Sequence, residues 1–103
     1  MALINNDSFL TIASGVYSAE IKIKGSRFIA HALFTPDREQ AEAEYQQFKK
    51  KYYDATHNCF AYRIAGDIFR YSDDGEPSGT AGRPILKVIE GRDLFQILLV
   101  VTR

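Results

Sequence analysis

The stretch Arg70-Tyr71-Ser72-Asp73-Asp74-Gly75-Glu76-Pro77-Ser78-Gly79-Thr80-Ala81-Gly82-Arg83-Pro84 gathers three acidic residues, three glycines and two prolines with almost nothing apolar. Asp73, Asp74 and Glu76 are hard oxygen ligands of the kind that hold Mg²⁺ or Ca²⁺. Their spacing is not that of an EF-hand loop. Three carboxylates so close repel one another unless a cation or hydrogen-bond donors compensate. The expectation is backbone and side-chain donors rather than a metal. Gly79-Thr80-Ala81-Gly82 runs into a helix, which predicts backbone N–H groups turned outward at its first turn. With Ser78, Thr80 and Arg83 beside them, such groups can hold sulfate or phosphate. No Gly-Lys-Ser/Thr follows, so this is not a P-loop. The Gly-x-x-Gly is shared with the backbone clamp of KH domains, four residues being little to rest on. A plain turn is the competing reading, with glycines at positive φ and Asp and Ser bonding the local backbone. The length of the stretch exceeds what a turn needs.

Other reactive groups are sparse. His57 and Cys59 stand two apart on a strand, roughly 6–7 Å from each other, too far for a nucleophile–base pair. A small buried thiol beside a satisfied histidine is the expectation. Strand pairing can gather Arg27, Arg63 and Arg70 into a basic strip, or carboxylates can neutralise each of them. Lys49, Lys50 and Lys51 close a helix, where cations meet the negative end of its dipole.

The elements that must position these groups follow from periodicity. Residues 16–34 alternate as two strands around a Gly25-Ser26 turn: Tyr17, Ala19, Ile21 and Ile23 share a face opposite Glu20, Lys22 and Lys24. Phe28, Ala30, Ala32 and Phe34 share a face, with His31 on the other. Thr35 as cap and Pro36 at the first position open a helix over about 36–53, with Ala41, Tyr45, Phe48 and Tyr52 as its apolar stripe. Residues 57–72 read as a hairpin turning at Gly66-Asp67, with Phe60, Tyr62 and Ile64 opposite Cys59, Ala61 and Arg63. A second helix spans 82–91, stopped by Gly91. Ile97 to Val101 are apolar without alternation, the pattern of a strand covered on both faces.

The chain has 103 residues, 46% hydrophobic and 25% charged, consistent with one small domain. Thirteen Lys and Arg balance thirteen Asp and Glu, which argues against strong sequence-independent nucleic-acid binding. The single cysteine excludes an intrachain disulfide and a Cys-rich zinc site, and fits a cytoplasmic setting. No apolar run is long enough to span a membrane, and the opening residues lack the pattern of a secretory signal. No cofactor-binding pattern is present.

Asp54-Ala55-Thr56-His57-Asn58-Cys59-Phe60-Ala61-Tyr62-Arg63-Ile64, the stretch 70–86 and Leu98-Leu99-Val100-Val101-Thr102-Arg103 together resemble the N-terminal domain of the YigZ/IMPACT family, from about Ile21 to the end. The resemblance implies an α+β two-layer sandwich like the second domain of a small-subunit ribosomal protein. It implies a mostly antiparallel sheet with two helices on one face. It also implies that members continue into a closing helix, so that residues 1–103 form one domain incomplete at its C-terminus. Bacterial relatives add a ferredoxin-like domain, and eukaryotic IMPACT restrains a starvation-sensing kinase acting on translation. No agreed catalytic residues carry over. The expected function is a non-enzymatic module touching RNA, the ribosome or a regulatory protein. Its contacts would be Asp73, Asp74, Glu76, Ser78, Gly79, Thr80, Gly82, Arg83, Arg63 and Arg70. The alternatives are a metal-assisted hydrolase or phosphate-ester enzyme built on Asp73, Asp74 and Glu76, and an inert scaffold. With both helices on one face, the other face of Ile97–Val101 would lie open, and would either pair copies of the chain or depend on sequence beyond Arg103 for cover.

Overall fold

The computed structural model describes residues 3–6, 9–12, 16–23 and 25–103. A hairpin of β1 (Leu3–Asn6) and β2 (Phe9–Ile12) forms a two-stranded sheet of its own. The main sheet contains β3 (Val16–Ile23), β4 (Ser26–Phe34), β5 (Asn58–Ala65), β6 (Ile68–Ser72) and β7 (Ile97–Thr102). Its order is β3-β4-β7-β5-β6, with every pairing antiparallel. Helix α1 (Arg38–Lys51) connects β4 to β5, and α2 (Gly82–Gly91) connects β6 to β7. The α+β class and the antiparallel sheet are as the sequence led us to expect. The facing expected of Ile21, Ile23, Lys22 and Lys24 lies outside the described residues.

The two helices do not share a face. Ala41 and Tyr45 of α1 pack with Leu33, Phe60, Tyr62, Leu98 and Val100. Leu86 and Ile89 of α2 pack with Ala32, Ala61 and Ile97, and Leu99 joins them. Because neighbouring residues of a strand point to opposite sides, these clusters lie on opposite faces of β5 and β7. The single-face arrangement is therefore corrected: β7 is sandwiched between α1 and α2. Its unbroken apolar run is used on both sides, Leu98 and Val100 toward α1, Ile97 and Leu99 toward α2. An open face of β7 that would pair copies of the chain is corrected with it.

The start of α1 also differs from expectation. Asp37 caps the helix, its carboxylate accepting from the Gln40 N–H at 2.8 Å. Asp is among the best capping residues because its oxygen satisfies a first-turn donor. Thr35 is buried instead, donating from Oγ1 to the Asp37 carbonyl and from its backbone to the Gln96 carbonyl. The Lys49–Lys51 run sits at the exposed helix end, Lys49 over the Tyr45 ring and Lys51 over that of Tyr52.

Candidate functional site

The polar stretch leaves edge strand β6 at Ser72 and turns onto the opposite face from α1 before α2 begins. Asp74, Gly75 and Gly79 all have positive φ, of 44°, 88° and 78°. Two of the three are glycine, which adopts that region without penalty. Gly82 is required for a different reason: a Cβ there would lie 2.6–2.7 Å from the backbone of Ser72. Only glycine lets the first turn of α2 come so near the end of β6.

Each carboxylate of the stretch meets donors inside the molecule. Asp73 accepts from the N–H groups of Gly79 at 2.9 Å, Ala81 at 3.1 Å and Gly82 at 2.8 Å. Those bonds, from Gly79 and Gly82 above all, hold its carboxyl below the ordinary value. Asp74 accepts from the Asn58 N–H at 2.7 Å, with Lys49 Nζ 4.0 Å away. Glu76 accepts from Arg103 Nη1 at 3.1 Å and faces His57 Nε2 at 3.8 Å. This is the donor-compensated loop that charge repulsion called for. Among the described residues no three His, Cys, Asp or Glu side chains converge as a metal site would need.

The anion site expected at the start of α2 is corrected. Asp73 occupies the amides of Ala81 and Gly82, and the Thr80 N–H and hydroxyl both bond the Pro77 carbonyl. Helix α2 has no side-chain cap from its own N-cap residue, Ala81. Its cap comes from farther back in the chain, and the helix dipole is met by the protein's own anion. Ser78 and Arg83 are exposed, on the loop and on the first turn of α2.

Of the two readings of Arg27, Arg63 and Arg70, pairing with carboxylates is the one found, and no basic strip forms from them. Arg27 bonds Glu20 at 2.6 Å, Arg70 bonds Glu42 at 2.6 and 2.8 Å, and Arg63 Nη1 lies 3.5 Å from Asp93. Arg70 stacks over Phe60 and Arg63 over Phe95. Residues 63 and 70 belong to opposite faces of the sheet, since Arg70 pairs with Tyr62 and Arg63 with Phe69. Glu42 also accepts from the Tyr62 hydroxyl at 2.8 Å. Burial and that bond push the Tyr62 phenol up to about 12.

His57 and Cys59 do not pair. His57 Nδ1 donates to the Asp74 carbonyl at 2.7 Å, and the Cys59 thiol donates to the Asp73 carbonyl at 3.2 Å. Burial and the neighbouring carboxylates, Glu76 first, push that thiol up to about 11. It is a small buried group pinning the loop, as expected of a structural cysteine.

Three hydrogen-bonding roles escaped the sequence reading, those of Asn58, Thr102 and Tyr45. Asn58 is buried, with its side-chain oxygen accepting from the Thr102 hydroxyl at 2.7 Å and its amide donating to the Tyr52 carbonyl. Tyr45 donates to the Asn58 carbonyl at 2.8 Å. This network ties the start of β5, the end of β7 and α1 to Asp74. Its one visible signal was a polar Asn and Thr at the ends of otherwise apolar strands.

What the loop leaves open is a groove of about 490 Å³ on the α2 face. Phe28, Cys59 and Val101 line it from the sheet, and Pro77, Ala81 and Ile85 from the loop and helix. Glu76, Thr80 and Arg103 supply its polar groups, with the Arg103 guanidinium over the Phe28 ring. Mostly apolar walls with a few convergent polar groups are the usual make-up of a binding cleft.

Residues 24–103 match the Impact N-terminal domain. The chain belongs to the IMPACT family. It is 46% identical over 86 residues to the IMPACT family member YvyE of Bacillus subtilis, spanning 82% of this chain and 40% of that protein. It is 38% identical over 102 residues to the IMPACT family member YigZ of Escherichia coli, spanning 94% of this chain and 49% of that one. A similarity of 36% identity to the Protein IMPACT homolog of Dictyostelium discoideum spans 78% of this chain and 24% of that protein. A crystal structure described only as that of a hypothetical protein superposes with a TM-score of 0.85 at 36% identity, over 92% of this chain and 48% of that chain. The chain thus spans less than half the length of these IMPACT relatives. Among the described residues no helix is long and apolar enough to cross a membrane.

Proposed function

We propose that this IMPACT-family domain is a non-enzymatic, cytoplasmic binding module, and that the groove between α2 and the sheet takes an extended segment of a regulatory or translation-associated protein. The observation that carries this reading is the contrast between loop and groove. Asp73, Asp74, Glu76 and the amides at the start of α2 are spent on internal bonds, while the groove beside them stays open and mostly apolar. A carboxylate already bonded to N–H groups or an arginine is poorly placed to hold a catalytic cation, so the hydrolase alternative loses its support. RNA is a weaker fit, because the net charge is zero and Arg27, Arg63 and Arg70 each face a carboxylate. The translation-regulating setting comes from the resemblance to eukaryotic IMPACT.

Amide chemical shifts of the 103-residue chain test this with two probes, a panel of short peptides centred on Leu or Phe and a short single-stranded RNA. We expect peptides to move the amides of Cys59, Ala81, Ile85 and Val101, and Ile85→Asp to abolish the response. RNA moving those amides while every peptide leaves them still would overturn the reading.

A further inference from the structure

Strand β6 is the outer strand of the main sheet and pairs only with β5 among the described residues. An edge strand presents a row of unused N–H and C=O groups, and proteins commonly blunt it with Pro, Lys or an inward charge. The sequence Ile68-Phe69-Arg70-Tyr71-Ser72 has no Pro or Lys, and its one charge is folded onto Glu42. Phe69 and Tyr71 are 49% and 40% exposed. They stand two residues apart, hence on one face, and with Arg83, Lys87 and Glu90 of α2 they line a shallow groove of about 330 Å³. This surface lies on the opposite side of α2 from the groove assigned to a partner protein.

The strip complements itself. Place a second copy antiparallel to β6 with the two-fold axis at Arg70. Phe69 then stands opposite Tyr71 of the second copy, and Tyr71 opposite its Phe69. Cross-strand aromatic pairs of this kind stabilise antiparallel sheets. The same two-fold runs the α2 helices antiparallel, bringing Arg83 and Lys87 of one copy toward Glu90 of the other. A net charge of zero leaves no long-range repulsion between copies. It also leaves no cationic excess to favour a polyanion at the same aromatics.

We propose that the chain self-associates edge to edge through β6, joining two main sheets into one continuous antiparallel sheet sealed by Phe69 and Tyr71. A two-fold interface of this type repeats every contact twice, so its loss on mutation is doubled.

Sedimentation equilibrium of the 103-residue chain tests the proposal. We expect a concentration-dependent dimer, with the outward amides of β6 protected from hydrogen exchange in the dimer and open in the monomer. Phe69→Lys, at a half-exposed position beside Arg83 and Lys87, should leave the circular dichroism of the fold intact and yield monomer. Glu90→Lys should weaken the dimer about fivefold, two exposed ion pairs being lost together. Arg83→Glu combined with Glu90→Lys should recover most of that loss. A monomer at every concentration up to about 1 mM, the weak end of specific association, overturns the proposal. So does a dimer indifferent to Phe69→Lys, or a double variant no tighter than Glu90→Lys alone.

Discussion

Gly82→Ala probes the closest packing in the molecule. The added Cβ would sit 2.6 Å from the Ser72 carbonyl oxygen and 2.7 Å from its carbonyl carbon and its nitrogen. All three are backbone atoms of a strand residue paired with Phe60, so no flexible side chain can swing aside. Either α2 slides outward or the end of β6 bends. Forcing an extra carbon into a packed site costs about 1–3 kcal/mol, and the rigid surroundings point to the upper half of that range. At this first helical position alanine returns less than the roughly 0.8 kcal/mol it is worth in a helix interior. The net expectation is a loss of about 2 kcal/mol. Unfolding entropy of about 2.1 cal/mol/K per residue gives a chain of 103 residues about 0.2 kcal/mol/K. The loss therefore lowers Tm by about 9 °C. Urea titration should show an earlier midpoint at unchanged slope. Gly91→Ala, in the same helix with nothing within 4 Å of its added Cβ, should be neutral or slightly stabilising. If Gly82→Ala matches the wild type while Gly91→Ala behaves as stated, the close approach of α2 to β6 is not what selects glycine at position 82.

Two further outcomes follow from the loop. The N–H groups of Gly79 and Gly82 hold the Asp73 carboxyl below its ordinary value of 3.8, so its stabilising contribution is complete above that value and is lost as pH falls through the lower folded-state value. Asp73→Asn should therefore be less stable than the wild type at neutral pH and should lose less stability on acidification below about pH 4, by urea midpoints measured across pH; parallel profiles would refute the cap. The Cys59 thiol, pushed up to about 11, should alkylate about a hundredfold more slowly at pH 8 than a free cysteine and recover the free rate in denaturant; rapid labelling of the folded chain would contradict its pinning.

Much of the fold was legible because its elements are amphipathic with clear periods. Tyr45 and Phe48 mark the inner stripe of α1, and Phe60 and Tyr62 alternate with Cys59 and Ala61 as the hairpin requires. The apolar run of β7 announced cover on both sides. Which side α2 would take was not legible, because Ile85, Leu86 and Ile89 fit any apolar face. The choice is expressed in tertiary packing against Ala32, Ala61 and Ile97, with Gly82 close to the Ser72 backbone, and none of this has a local signature. The capping of α2 escaped for a related reason. Cap signals are sought next to the helix, and here Ala81 stands there while the carboxylate arrives from Asp73. The polar loop drew the site reading, and its carboxylates turn out to bond donors of the protein itself. Sequence shows which residues can bond a ligand and does not show that their own backbone has reached them first.

Asp73 gives the start of α2 an anion that cannot diffuse away. Its oxygens reach amides six to nine positions along the chain, and so short a tether corresponds to an effective concentration on the order of millimolar or higher. Free phosphate must displace a ligand that is always present, so the wild-type amides should stay indifferent to it. The loop is in this sense an occupied receptor. Losing one carboxylate by mutation would do more than weaken a helix: it would turn an inert turn into a vacant anion seat of three amides, with Arg83 in the adjoining turn. A binding function could enter this fold by deleting a ligand rather than by building a site.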